Sequence, residues 1–340
     1  MSFWYDSNIL SLSHMRNRFK LVRSFRRRDP VVAGYPSIVY VETTNWCNLE
    51  CPMCPTTIMK RDKVHMEMAT WKTAISQLDP KYTELVVLHS DGEPLLNKDV
   101  FDMVSVAKEK GLRLYTSTNA TALDELHAKA LIESGLDVLN ISIDGTTKEV
   151  YEKYRVGANY EKVMENVERF LEIKGDRDPF VIIQMIEMPE NQHQAQEFLE
   201  RWGKYRSKGV IPVIKKMIDW FNEIPDIIDN YNWCDRPFFG MVVHSSGEIS
   251  PCIHDFDATY VLGNVHKDNI YDVWNNDKMV ELRKSISRGR RTNDLCKDCN
   301  YEPSVGHNLL VDSGLAVLDM CTVAKLIPRI GFHRNRQYGT

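Results

Sequence analysis

The chain has 340 residues, enough for one large core or two domains. At 43% hydrophobic and 26% charged it is neither disordered nor collagen-like. A net charge of −4, without interleaved basic and aromatic residues, argues against a nucleic-acid binder. No apolar run approaches the ~20 residues of a membrane helix, and no secretory leader pattern opens the sequence. The expectation is a cytoplasmic protein with no membrane span.

Residues 1–30 hold seven Lys/Arg, from Arg16 to Arg28, against two Asp; residues 322–340 hold four basic residues and no acid. The simple reading is two solvated basic ends resting on an acidic body. The sharper one is a grip on an anionic partner. The simple reading is favoured.

From residue 37 strands and helices alternate. Residues 37–44 (SIVYVETT) are rich in β-branched side chains and read as a strand. Further strands are read at 84–90, 112–119, 137–144, 180–188 and 210–218. Helices are read at 99–110, 124–134 (closed by Gly135), 160–173 and 192–204. Consecutive βα units imply parallel strands with right-handed crossovers. Six are too few for a closed eight-fold barrel, so the expected fold is α/β, a partial (β/α)6 barrel. Function in such sheets gathers at the carboxyl ends of the strands. Beyond residue 231 the pattern changes: a hairpin over 239–253 turns at Ser246-Gly247, and residues 269–288 read as one amphipathic helix. The expected organisation is a basic extension (1–36), the barrel (37–232), a small α+β domain (233–305) and a tail (306–340). The small domain's core is too slight to stand without a metal staple.

Eight cysteines in a cytoplasmic chain are read as ligands, catalysts or buried apolar groups rather than disulfides. Cys47, Cys51 and Cys54 form Cys-x-x-x-Cys-x-x-Cys directly after the first strand. Three thiolates can hold three irons of a [4Fe–4S] cluster and leave the fourth iron open. Structural zinc, which takes four closed ligands, fits three cysteines poorly. Cys234 and Cys252 flank the hairpin, and Cys296 and Cys299 form a later Cys-x-x-Cys. These four can close a cluster or a structural zinc site; spacing alone leaves both open.

The first loop resembles the signature of radical S-adenosylmethionine (SAM) enzymes, and its place after the first strand matches. The resemblance implies that SAM chelates the open iron through its amino and carboxylate groups. One-electron reduction then releases a 5′-deoxyadenosyl radical that takes hydrogen from substrate. His89-Ser90-Asp91-Gly92-Glu93-Pro94 resembles the family's Gly-Gly-Glu-Pro motif, with Asp91 replacing the first glycine. It implies that Gly92 and Glu93 cradle the SAM ammonium and that Met53 offers its backbone to adenine. Ser117 and Asn119 suit the ribose or the SAM carboxylate. Ser142, Asp144 and Gln184 point toward the same mouth or are satisfied core polar groups.

The second set, with Gly263-Asn264-Val265 and Ile270-Tyr271-Asp272-Val273-Trp274, resembles the SPASM/twitch extension of these enzymes. Further cysteines of the full SPASM form are missing and Cys321 stands alone. This implies the shortened twitch form with one auxiliary cluster, so two [4Fe–4S] clusters in all. The spacing looks closest to twitch dehydrogenases.

The leading expectation is oxidation of a sugar or aminocyclitol alcohol to a ketone, the electron passing to the auxiliary cluster. Lys215 or Lys216 (strand alternation lets only one face the mouth), His254 and His89 are candidate proton acceptors. Epimerisation with Cys321 as hydrogen donor is the alternative. Peptide maturation has little room for a separate peptide-binding domain, and the open loop argues against a non-enzymatic metal protein. An electron donor such as flavodoxin or ferredoxin is the implied partner.

Overall fold

A computed structural model describes residues 11–216, 234–289, 292–297 and 299. Its centre is one nine-stranded sheet in the order β6-β5-β4-β3-β2-β1-β7-β8-β9. The strands are β1 (Ile38–Val41), β2 (Leu85–Val87), β3 (Leu114–Thr118), β4 (Val138–Ser142), β5 (Phe180–Glu187), β6 (Val210–Lys216), β7 (Gly240–Val243), β8 (Glu248–Ser250) and β9 (Gly263–Asn264). β1 to β6 are parallel neighbours in sequence order. The helices are α1 (Leu12–Arg27), α2 (Met68–Gln77), α3 (Val100–Glu109), α4 (Glu125–Glu133), α5 (Lys148–Tyr154), α6 (Tyr160–Lys174), α7 (Ala195–Gly203), α8 (Arg236–Phe239), α9 (Ile270–Val273) and α10 (Asp277–Arg288).

Strand alternation sorts the chemistry. Val39, Val41, Val86, Leu114, Leu139, Ile141, Val181 and Ile183 are buried in one core with Trp71, Met103, Leu131, Phe170 and Trp202 of the helices. Register places Tyr40, Val87 and Tyr115 in one row, and Ser142 beside Gln184. This second face is polar. Side chains in a strand alternate between faces, so an apolar outer face and a polar inner face follow from sequence order alone. Side-chain caps start the helices: Asp124 accepts from His127 N–H, and Asn159 from Lys162 N–H. The architecture is the expected partial barrel, with parallel strands and helices on one side.

Two arrangements differ from local expectation. β7 does not open a separate sheet; it pairs parallel to β1 from Ile38↔Gly240 to Val41↔Val243. Gly240 permits the approach, because a Cβ there would stand 2.6 Å from the Ile38 carbonyl oxygen. The hairpin β7–β8 then turns at Gly247, with φ +94°. The helix expected over 269–288 is two pieces. Asn276 caps α10 by accepting from Met279 N–H at 2.9 Å, and Trp274 in the break is fully buried.

That Trp274 stacks on Arg283, whose guanidinium carbon lies 4.3 Å from the ring centroid. Arg283 also donates to the carbonyls of Pro237 (2.7 Å) and Pro30 (3.1 Å) and to Asn275 Oδ1 (2.8 Å). One buried side chain thus joins the loop after α1, the start of α8 and α10. Arg283→Met leaves those acceptors unsatisfied and is expected to destabilise the protein by about 3 kcal/mol. Anaerobic thermal or denaturant unfolding checks this; a change within error would refute the staple.

Candidate active site

The first cysteine loop leaves β1 and returns before α2. Asn45 closes it from within: Oδ1 accepts from Val64 N–H at 2.6 Å and Nδ2 donates to the Asp62 carbonyl at 2.8 Å. Glu50 N–H donates to the Val156 carbonyl at 2.9 Å, tying the loop to the exit of α5. Cys47, Cys51 and Cys54 are free thiols. Burial pushes the Cys47 thiol up to about 12 and raises those of Cys51 and Cys54. Each sulfur has a polar donor beside it: Asn119 Nδ2 at 3.8 Å from Cys47, Arg155 at 3.8 Å from Cys51, and Thr56 Oγ1 at 3.1 Å from Cys54. Such donors stabilise thiolate sulfur once metal displaces the protons.

Above this loop sits the turn after β2. Gly92 has φ +78°, and a Cβ would lie 2.5 Å from the Thr44 carbonyl oxygen and 2.7 Å from that of Trp46. The Glu93 carboxylate is buried and accepts from Asn119 N–H (2.6 Å), Thr118 Oγ1 (2.8 Å) and Leu95 N–H (3.1 Å). Burial raises its pKa against those hydrogen bonds. Glu93 therefore wires the end of β2 to the end of β3. Asn119 Nδ2 also donates to Asn48 Oδ1 at 3.1 Å, so the expected SAM contacts Gly92, Glu93 and Asn119 adjoin the cysteine loop. Met53 is half-buried on that loop.

The inner face supplies the rest. Ser117 Oγ accepts from Asn140 Nδ2 at 2.9 Å. Ser142 and Gln184 stand side by side in register. Asp144 is committed: Oδ1 accepts from Ile186 N–H at 2.7 Å and Oδ2 pairs with Arg155 at 2.5 Å. Asp144 and Cys51 hold the buried Arg155 charged although desolvation opposes it. Arg155 went unread in the sequence, where it follows Lys148 and Lys153 and nothing sets it apart from them. Arg61, also unread, spans to the second domain. It pairs with Glu42, donates to the Phe256 carbonyl at 2.5 Å, and lies 3.6 Å from Asp91.

The candidate proton acceptors separate clearly. His89 is pushed down to about 4 by burial and by Lys215. Its Nδ1 accepts from Ser117 N–H at 3.1 Å, so the neutral ring carries its proton on Nε2 and is a donor. Lys215, at the end of β6, pairs with Ile186, two residues on from Gln184, so strand alternation puts its side chain on the inner face. Its side chain is exposed at the mouth, and desolvation and Arg236 lower its pKa. The Lys216 side chain and Cys321 lie outside the described residues. His254 is not in the mouth; it lines the second cysteine site.

That second site is a cavity with an empty volume of about 410 Å3, open side included, lined by Cys234, Cys252, Cys296, Cys299, His254 and apolar side chains that include Pro237 and Leu282. Burial raises Cys234 strongly and Cys252 to about 11. Four cysteines around one cavity are the ligand number that closes a cluster.

Gly92→Ala forces the turn off the cysteine loop. SAM affinity is expected to fall about tenfold or more, with an unchanged circular dichroism spectrum; equilibrium dialysis against labelled SAM reads it, and wild-type affinity would remove Gly92 from the site. Cys51→Ala is expected to lose about four irons per chain and all SAM cleavage, and Cys252→Ala about four irons with the first cluster retained. Iron analysis with electron paramagnetic resonance distinguishes the two.

Comparison with known proteins agrees with this geometry. Residues 41–201 match the radical SAM superfamily, and residues 234–300 match the SPASM iron–sulfur cluster-binding domain. The chain is 28% identical over 273 residues to the S-adenosyl-L-methionine-dependent 2-deoxy-scyllo-inosamine dehydrogenase of Niallia circulans, covering 78% of this chain and 92% of that one. The crystal structure of BtrN in complex with AdoMet and 2-DOIA superposes with a TM-score of 0.54 at 25% identity, covering 78% and 93% of the two chains. The PqqA peptide cyclase of Gluconobacter oxydans is 32% identical, but over only 33% of this chain and 32% of its own. The radical SAM domain binds SAM and a [4Fe–4S] cluster, and the SPASM domain binds further iron–sulfur cofactor. The protein is a radical SAM enzyme with a C-terminal SPASM-type iron–sulfur domain.

Proposed function

We propose that this enzyme oxidises a secondary alcohol of a small polar substrate, a sugar or aminocyclitol, to a ketone. When bound, SAM on the cluster of Cys47, Cys51 and Cys54 supplies a 5′-deoxyadenosyl radical, and a cluster on Cys234, Cys252, Cys296 and Cys299 supplies an electron acceptor. The observation that carries this reading is the second site: four cysteines around one cavity leave no iron open for substrate, which suits electron transfer. The likeness to the 2-deoxy-scyllo-inosamine dehydrogenase, over 78% of this chain and 92% of that one, supports it.

The chain's own residues handle the proton. Lys215 is the base, because strand register puts its side chain on the face of Gln184 and desolvation and Arg236 disfavour its charged form. His89 donates from Nε2 and holds the substrate oxygen. Ser117, Ser142 and Gln184 line the same face and orient hydroxyls. Gly92, Glu93, Asn119 and the Met53 backbone would hold SAM. Asp144 acts through Arg155.

Lys215→Gln is expected to lower turnover at least about 100-fold, and Lys216→Gln to change it little. The base must be neutral, so activity is lost as pH falls through the pKa of Lys215. That limb lies below the ordinary lysine value of 10.5. The assay counts one 5′-deoxyadenosine per ketone in a panel of cyclitols and sugars. A product isomeric with substrate and carrying solvent deuterium would instead establish epimerisation. A Lys216 variant as damaged as Lys215 would overturn the assignment of the base.

A further inference from the structure

α1 turns a face to solvent that the proposed chemistry does not use. His14, Asn17, Leu21 and Ser24 are its buried residues. Leu12, Met15 and Phe19 are 65%, 47% and 67% exposed. At spacings of three and four residues they form one stripe, opposite the buried side. Arg16, Lys20, Arg23, Arg26 and Arg27 are exposed on and beside that stripe. The helix contains no Asp or Glu. On its flank Arg18 pairs with the carboxylate of Glu84. Beyond the helix, Arg28 donates to the Ser287 carbonyl at 3.1 Å, which brings the exposed Arg288 of α10 into the same basic patch.

A solvated charged helix needs no apolar stripe, and a nucleic acid would not use one. A lipid surface uses both: apolar side chains enter the boundary between headgroups and acyl chains while cations meet lipid phosphates. We propose that α1 docks this enzyme on an anionic lipid bilayer, with Leu12, Met15 and Phe19 inserted and the arginines against the headgroups. The chain's own residues 322–340 are a poorer occupant, since Lys325, Arg329, Arg334 and Arg336 repeat the helix's charge without an acid. Orientation is compatible with turnover. α1 packs where the strands begin, through Arg18 on Glu84 just before β2 and Asn17 on the Tyr35 carbonyl before β1. The substrate mouth is at the other end and stays open to solvent.

The test uses the full-length holoenzyme and sedimentation with vesicles of phosphatidylcholine, with or without phosphatidylglycerol. Binding is expected only to the anionic vesicles and is expected to weaken with salt. Leu12→Glu with Phe19→Glu should abolish it. Arg23→Gln with Arg26→Gln should weaken it about fivefold per charge removed. Both double variants should keep wild-type 5′-deoxyadenosine formation and melting temperature, so loss of binding is not loss of fold. The proposal is overturned if anionic vesicles do not retain the protein, if neutral vesicles retain it equally, or if the variants bind as wild type. It is also overturned if binding appears only after deletion of residues 306–340, which would make that segment the occupant. Salt-sensitive retention on duplex DNA without vesicle binding would overturn it too.

Discussion

The cysteine loop is held against the turn after β2 by one short backbone hydrogen bond, from Glu93 N–H to the Trp46 carbonyl at 2.6 Å. Everything catalytic is arranged around that contact. Gly92 makes it possible, because no side chain fits between the two backbones. Fixing a residue costs on the order of 1–2 kcal/mol of backbone entropy, so a loop running from Asn45 to Val64 needs many restraints to present three thiols as a set. It has them: Asn45 bridges its ends, and Asn97 Nδ2 donates to the carbonyls of Thr43 (2.8 Å) and Met66 (3.1 Å). Cluster geometry is thereby inherited from neutral amides and backbone, which do not compete for metal.

Charge at this end of the barrel is matched rather than minimised. Glu42 is fully buried; desolvation works to raise its pKa, but the Arg61 hydrogen bonds and charge, with His244, hold it below the usual range. Asp91 nearby is pushed up by burial and by Glu42. Arg61 answers the charge of Glu42, the compensation a buried carboxylate requires. The pairing also has a mechanical consequence. Asp257 accepts from Lys60 N–H at 2.6 Å and Arg61 N–H at 3.3 Å, and Ser245 Oγ donates to Glu42 at 2.6 Å. The segment after the first cysteine loop is thus bonded directly to the second cysteine domain.

Legibility in the sequence followed sequence distance. The six barrel strands were visible because β-branched runs and alternation report local burial, and the seven candidate ligand cysteines because their spacing is a short-range code. The pairing of β7 with β1 joins residues about 200 positions apart, and nothing near Met241 announces Val39 as its neighbour. α1 was hidden for another reason: its basic residues dominate the composition, and three of its four buried residues, His14, Asn17 and Ser24 beside Leu21, are polar, so no apolar stripe marks the face it buries. Arg61 and Arg155 escaped because a single arginine carries no pattern; only the fold reveals that each ends on a buried carboxylate. The tautomer of His89 likewise depends on a neighbouring strand's backbone N–H.

The two halves of the proposed oxidation meet at Arg236. It begins α8, two residues after Cys234, and Pro237 beside it lines the four-cysteine cavity. Its guanidinium donates to the Tyr40 hydroxyl at 3.4 Å, on the barrel's inner face. The same charge lowers Lys215 on one side and works to lower Cys234 and Cys252 on the other. A cation so placed keeps more of Lys215 neutral before turnover and stabilises negative charge on the sulfurs. Both effects assist loss of a proton and an electron from one carbinol, in different directions. A carboxylate at this position would reverse both, protonating the base and destabilising added charge at the cysteines. The positive sign of one residue at the seam between barrel and second domain is the sign that the proposed oxidation calls for.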